Sequence, residues 1–192
     1  RTVVTDGPFA ETREQLGGFY VLELDDLDQA IAVAERLPPT LRGTAEIRPI
    51  HPLASLPTAK PLAAASRSEL MPYLLLCYDD ERAWEAAGET ALARAREEGA
   101  AIARELDARG RYLRAAPLLP TSAATSVRVR EGRRAVTDGP FAETNEVLGG
   151  FYLILAASRA EALEIAGRHP GARLGAVEVR PLVDLAGLTG TA

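Results

Sequence analysis

The amino-acid sequence predicts an α+β protein made of two related modules. First, TDGPFAETREQLGGFY (residues 5–20) recurs with two substitutions as TDGPFAETNEVLGGFY (residues 137–152). Second, short apolar segments typical of strands alternate with Ala-, Glu- and Arg-rich segments typical of helices. Third, the 192 residues are 47% apolar and 26% charged, which suits a packed core with a solvated surface. Such a length holds one ordinary domain or two small ones.

The two copies lie 132 positions apart, since Arg1 aligns with Arg133. The match continues without a gap to Leu53 and Leu185. The segment that precedes the second copy begins at Pro72, 133 − 72 = 61 positions before Arg133, and it has no counterpart before Arg1. The first copy therefore lacks its front half. We expect a fragment of a longer tandem protein; completion by another chain is the alternative.

Three regions follow from this alignment. Residues 1–53 are predicted to form the C-terminal half of a first module. Residues 54–71, rich in Ala, Pro and Ser, are predicted to be a linker. Residues 72–186 are predicted to form a complete module.

The elements of the complete module follow from local patterns, in chain order. They are a buried strand PYLLLCY (72–78), an amphipathic helix (81–109) ended by Gly110, a strand RYLRAAPL (111–118), a hairpin SVRVREGRRAVT (126–137), a strand GGFYLILA (149–156), a helix from the capping box of Ser158 and Glu161 to about Arg168, and a strand GAVEVRPLV (175–183). This β-α-β-(hairpin)-β-α-β order is the ferredoxin-like pattern.

The strands YLLLCY and FYLILA are apolar on both faces, and two helices cover only one face of a sheet. We therefore expect self-association through the other face, which packs on a second sheet supplied by a tandem copy in the same chain or by a homodimer partner. In residues 1–53 we expect strands at 19–24 and 45–50. The first should be equivalent to residues 151–156 about a pseudo-twofold axis, with the sheets about 10 Å apart.

Composition excludes several classes of function. The net charge of −5 argues against a nucleic-acid partner, and no apolar run is long enough to cross a bilayer. Cys77 is the sole cysteine, so an intrachain disulfide is impossible and a cytoplasmic location is expected. The chain starts without Met, so a missing upstream segment could still carry a signal peptide. No metal-ligand spacing and no phosphate-binding glycine loop occur, so no metal and no cofactor are predicted.

The repeated TDGPFAET motif has a structural and a functional interpretation. In the structural one, Asp6 and Asp138 bond the amides of the following turn, the next glycine permits a positive φ, and Phe9 and Phe141 anchor the loop in the core. In the functional one, Asp6 and Asp138 are general bases or ligand anchors at the mouth of a cleft.

A second group of candidates belongs to the final strands and to the strand after the motif. Glutamate and arginine alternate on the polar side of each final strand, as a solvated ion pair or as the polar wall of a ligand pocket. The candidate ligand-binding residues are Glu46, Arg48, Glu178, Arg180, Tyr20 and Tyr152.

The motifs TDGPFAET, LGGFY and VEVRP together resemble the DGPF (DGPFAETKE) group of the YCII-related family, and the first copy carries the last motif as AEIRP. The resemblance implies a ferredoxin-like fold, a dimeric α+β barrel, and small bacterial cytoplasmic proteins, some linked to sigma-factor genes. Some related members resemble muconolactone-type enzymes and use a His with an Asp. Here the histidines are His51 and His169, and the long helix has none near Gly99, where the resemblance places the active one. That chemistry is therefore not expected to transfer.

Three hypotheses of function result. The first is a small-molecule-binding module. The second is an enzyme on a small polar metabolite, with Asp138 and Asp6 as acid–base residues and Arg180 and Arg48 holding an anion. The third, a regulatory partner of a transcription factor, rests on the family resemblance alone.

Overall fold

The computed structural model describes residues 3–7, 15–61, 70–142 and 144–182. Its regular elements, in chain order, are α1 (Leu27–Glu35), β1 (Ala45–Ile47), β2 (Met71–Asp79), α2 (Glu81–Ala87), α3 (Glu89–Ala108), β3 (Tyr112–Pro117), β4 (Thr125–Arg130), β5 (Arg133–Asp138), β6 (Val147–Ala156), α4 (Arg159–Gly167) and β7 (Gly175–Pro181). Short 3-10 helices cover Pro38–Leu41, Thr121–Ala123 and Pro170–Arg173. No helix within these ranges is long and apolar enough to cross a membrane.

The chain divides into two compact units. The large unit comprises residues 1–7, 52–117 and 146–192, and the small unit comprises residues 8–51 and 118–145. The hairpin of the second copy therefore packs with residues of the first copy. The sequence boundaries at residues 53, 71 and 186 describe the repeat, and they stay predictions.

The large unit contains an antiparallel sheet in the order β3-β6-β2-β7. One face carries the main core, in which apolar side chains of the strands pack with those of α3 and α4. The core includes Tyr73, Leu75, Cys77, Ile102, Leu106, Tyr112, Tyr152, Ile154 and Ile165. The mixture of antiparallel sheets and helices agrees with the predicted α+β class.

Strand β2 is buried on both faces. Residues 73–77 are each at most 5% exposed, and consecutive side chains of a strand point to opposite faces. The prediction of a doubly buried strand at PYLLLCY is confirmed by this burial.

The predicted single helix over residues 81–109 is wrong in one respect, because it breaks at Gly88. This glycine has a φ of 87°, in the region that favours glycine, and it separates α2 from α3. Asp80 begins α2 by accepting hydrogen bonds from the N–H groups of Arg82 and Ala83.

The small unit contains an antiparallel sheet in the order β1-β4-β5. Strands β4 and β5 form the predicted hairpin, and its turn is Glu131-Gly132 with φ values of 51° and 73°. Two positive φ values characterise the tight turn that matches strand twist.

The expected strand at residues 19–24 is wrong, since these residues have no regular secondary structure and Tyr20 is 66% exposed. The equivalent residues 151–156 lie in β6, which pairs with both β2 and β3. A strand requires neighbours for its backbone groups. The described part of the small unit pairs no strand with residues 19–24, so the repeated sequence adopts different structures in the two copies.

Candidate functional site

The second DGPF turn is held by its main chain. Gly139, with a φ of 96°, donates its N–H to the carbonyl of Ala124 at 2.8 Å, and its carbonyl accepts from Ser126 Oγ at 2.9 Å. Asp138 ends β5 and is exposed. These contacts fix the turn without using the carboxylate of Asp138 for either bond.

Phe141, in the same turn, is 36% exposed, so the prediction that it anchors the loop in the core is wrong. Its N–H instead donates to Glu46 Oε2 at 3.2 Å, and its carbonyl accepts from Arg128 Nη2 at 3.3 Å. The loop is therefore tethered through polar groups on β1 and β4.

The first DGPF turn differs in its surroundings. The Asp6 side chain is 93% exposed and accepts a hydrogen bond from Arg159 Nη2 at 3.1 Å. Gly7 has a φ of 103°, and Phe9 lies outside the described residues. Asp6 belongs to the large unit and Asp138 to the small unit.

The predicted Glu–Arg pairs form on both final strands. In the small unit, Arg48 Nη1 lies 3.0 Å from Glu46 Oε1, and Arg48 Nη2 donates to the carbonyl of Leu119 at 2.6 Å. The side chain of Arg48 is 7% exposed, and its Nε has no hydrogen-bond partner among the described residues. The pair is thus mostly buried.

In the large unit, Arg180 Nε donates to Glu178 Oε1 at 2.6 Å. Glu178 is also hydrogen-bonded to Tyr78 on the adjacent strand. Burial, followed by the charge of Glu178, raises the pKa of Tyr78 to about 12, so its hydroxyl stays protonated at neutral pH.

The two candidate tyrosines differ in burial. Tyr20 is exposed, whereas Tyr152 on β6 is 8% exposed and packs against His169 with ring centroids 5.1 Å apart and planes at 73°. Tyr152 therefore leads to a polar cluster that the sequence did not predict. We call this the His169 cluster; its members are Cys77, Asp79, Trp84, Tyr152 and His169.

The His169 cluster forms at the end of β2, against α3 and the 3-10 helix Pro170–Arg173. His169 Nε2 lies 3.8 Å from Cys77 Sγ, and Trp84 Nε1 donates to Asp79 Oδ1 at 3.2 Å. Cys77 and Tyr152 are buried, whereas Asp79, Trp84 and His169 are half-buried. The cluster thus has a buried floor and a partly exposed rim.

Glycines make room for these side chains. A Cβ on Gly99 of α3 would lie 2.7 Å from Tyr152 Oη and 3.4 Å from His169 Nε2. A Cβ on Gly171 would lie 3.0 Å from His169 Nδ1 and 3.1 Å from Asp79 Oδ1. The polar side chains therefore lie directly against the backbone of Gly99 and Gly171, where a larger residue would displace them.

The tautomer of His169 follows from its hydrogen bonds. Nδ1 accepts from the N–H of Gly171 at 3.1 Å, so Nδ1 carries no proton. In the neutral ring the proton is then on Nε2, which faces Cys77 and the place of Gly99. His169 therefore offers a hydrogen-bond donor to the cluster.

The His169 ring is uncharged at neutral pH. Burial, with a smaller contribution from Arg173, lowers the pKa of His169 to about 4. Burial raises the pKa of the Cys77 thiol and of the Tyr152 phenol well above neutrality. Burial also raises the pKa of Asp79, although the Trp84 hydrogen bond opposes this shift. A protonated thiol is a poor nucleophile, so the arrangement suits binding by hydrogen bonds.

Sequence reasoning missed His169 because it sought a histidine on the long helix. The imidazole reaches the same place, beside Gly99, from the turn after α4. Its counterpart in the first copy is Leu37, so the repeat gave no signal. The polar pair Asp79-Asp80 directly after a buried strand was the one available hint.

In the described part of the chain, no three His, Cys, Asp or Glu side chains group as metal ligands would. The fold and this cluster together define a small antiparallel α+β protein with a polar site against its sheet.

A sequence model of the YCII-related domain matches residues 1–54 and 71–186, and the chain therefore belongs to the YCII-related family. An uncharacterised protein of Rhizobium meliloti (strain 1021) is 42% identical over 114 residues, which are 58% of this chain and 92% of that relative.

Proposed function

We propose that this chain is a small-molecule-binding protein of the DGPF group, in which ferredoxin-like modules form an α+β barrel as a tandem pseudo-dimer. The strand order β3-β6-β2-β7, with α3 and α4 as crossovers, is the order of a ferredoxin-like sheet and supports the proposal. The burial of both faces of β2 supports the barrel.

The His169 cluster is the observation that carries the binding proposal. It combines a donor on Nε2 of His169, the Tyr152 hydroxyl and an apolar floor, and its rim is partly exposed. Ligand sites are mostly apolar with a few placed polar groups. The matching ligand is a small metabolite that presents a carbonyl or carboxylate oxygen as hydrogen-bond acceptor.

The tautomer favours binding over general-base catalysis by His169. A base needs a lone pair directed at the substrate, whereas the lone pair of Nδ1 is used by Gly171 and Nε2 carries the proton. The alternative enzyme, with Asp138 and Asp6 as acid–base residues, has less support, since both aspartates are exposed and Asp6 is paired with Arg159.

The test is a melting-temperature screen with small oxo acids and carboxylates. His169→Asn keeps an acceptor near the N–H of Gly171 but removes the Nε2 donor. We expect a hit to raise the melting temperature of the wild type and of the control His51→Asn, and to lose that effect in His169→Asn. A complete absence of hits, or a hit of equal effect in His169→Asn, would overturn the proposal.

A further inference from the structure

Among the residues that the structure describes, β1 has a repeat counterpart, whereas β4 is the one strand of its type. Strand β1 corresponds, 132 positions on, to residues 177–179 of β7. Strand β1 pairs with β4, whereas β7 pairs with β2 alone in the described part of the chain. We propose that the outer edge of β7 binds an extended segment of the β4 type, in which arginines alternate with β-branched residues.

The edge of β1 that receives β4 is defined by its backbone groups. Gly139 donates its N–H to the carbonyl of Ala124 at 2.8 Å, so even-numbered residues along β4 direct their backbone groups towards β5. Thr125 and Val127 therefore direct theirs towards β1, where their partners are Ile47 and Ala45. Backbone groups of a strand alternate between its two edges with period two. Ala45 and Ile47 therefore direct their N–H and C=O groups towards β4.

The corresponding edge of β7 is its outer edge, on the side away from β2. Leu182 donates its N–H to the carbonyl of Pro72 at 3.2 Å, so even-numbered residues of β7 direct their backbone groups towards β2. Val177 and Val179 consequently direct theirs away from β2. The repeat offset is even, so these two residues are the counterparts of Ala45 and Ile47.

The backbone carbonyls that accept hydrogen bonds from the last arginine of β4 also have counterparts in the second copy of the repeat. Arg130 donates from Nη1 to the carbonyl of Thr40 at 2.7 Å, and from Nη2 to the carbonyls of Arg42 and Gly43 at 3.2 and 3.0 Å. These carbonyls lie in the 3-10 helix Pro38–Leu41 and in the two residues that follow it. Its counterpart in the large unit is the 3-10 helix Pro170–Arg173, beside β7. An arginine of the bound segment would meet equivalent carbonyls there.

The large unit also contains residues 1–7, the counterparts of residues 133–139 in β5 and the DGPF turn. In the small unit, β4 lies between β1 and β5. A β4-type segment on the outer edge of β7 would give the large unit the counterpart of the β1–β4 pair. Main-chain pairing on an exposed edge is an established mode of peptide recognition.

The test uses the full chain and a fluorescent peptide of residues 121–132. We expect saturable binding and, by hydrogen exchange, new protection of residues 175–181. Val177→Pro removes an outward N–H without touching the β2 ladder, so it should weaken binding by about tenfold or more. Protection confined to residues 45–47, where the peptide would replace β4, or unchanged binding by Val177→Pro, would overturn the proposal.

A second arm leaves the protein unchanged, in case the proline variant does not fold. Val127, paired with Ala45, has its N–H on the β1-facing edge of β4, and the next residue, Arg128, faces the other edge. N-methylation of the peptide at Val127 should abolish binding, and N-methylation at Arg128 should reduce it less. Undiminished binding of the Val127-methylated peptide would contradict edge pairing.

Discussion

At the scale of single residues, His169 connects the folded state to pH. Its pKa is lowered from 6.5 to about 4 by burial, so the unfolded chain binds the proton more tightly than the folded chain. The stability contributed by the neutral ring is complete above about pH 6.5, and it is lost as the pH falls towards about 4. Asp79, whose pKa is raised, acts in the opposite direction because its neutral form is favoured by the fold.

We predict that the free energy of unfolding of the wild type falls more steeply between pH 6.5 and pH 4 than that of His169→Gln. Urea titrations at several pH values measure the free energy of unfolding of both proteins. Asp79 is present in both, so its contribution cancels in the difference between them. Direct NMR titration should place the midpoint of His169 near pH 4, with His51→Gln used for assignment. A His169 midpoint near 6.5 would show that the ring is not desolvated.

At the scale of elements, the two Gly-Gly pairs of the repeat have unequal roles. Gly149 faces Asp79, where a Cβ would collide with the carboxylate, and it falls at the register shift between β2 and β6. A Cβ on Gly150 would lie 2.9 Å from the carbonyl of Ala116. Cβ atoms on Gly17 and Gly18 would meet nothing within 4 Å.

We therefore predict that Gly149→Ala and Gly150→Ala each lower the free energy of unfolding by about 1–3 kcal/mol, the usual cost of overpacking. The matched changes Gly17→Ala and Gly18→Ala should leave it within about 0.5 kcal/mol. Chemical denaturation of the four variants measures this contrast. Equal costs in both copies would mean that the first pair is also packed against a strand.

Local pattern was sufficient for elements whose signals are short-range. The strand at residues 72–78, the hairpin and the helix after Ser158 were predicted because apolar alternation, turn glycines and capping residues act within a few positions. Residues 19–24 failed because a strand also needs a neighbour, which identical sequence does not supply. His169 was missed for a similar reason, since chain folding brings it to Gly99 from 70 positions away (169 − 99).

At the scale of the whole molecule, segments that are neighbours in the sequence belong to different compact units. The hairpin β4–β5 lies between β3 and β6 in sequence, and both of those strands belong to the large unit. The hairpin itself belongs to the small unit, where Arg130 ties it to carbonyls of residues 40–43. Cooperative opening should follow packing, because units with shared contacts exchange together.

We predict that two substitutions, one in each unit, accelerate hydrogen exchange only in the unit that contains them. Arg130→Gln, which removes the guanidinium contacts, should accelerate exchange in β4, β5 and β1 while leaving β2 and β6 unchanged. Leu106→Ala, at a core position that is 2% exposed, should accelerate hydrogen exchange in β2 and β6 and leave exchange in the hairpin unchanged. The exposed Arg133→Gln is the control for charge removal on the hairpin. A hairpin that follows Leu106→Ala instead would place β4 and β5 in the cooperative unit of the large sheet, against the division of the chain described above.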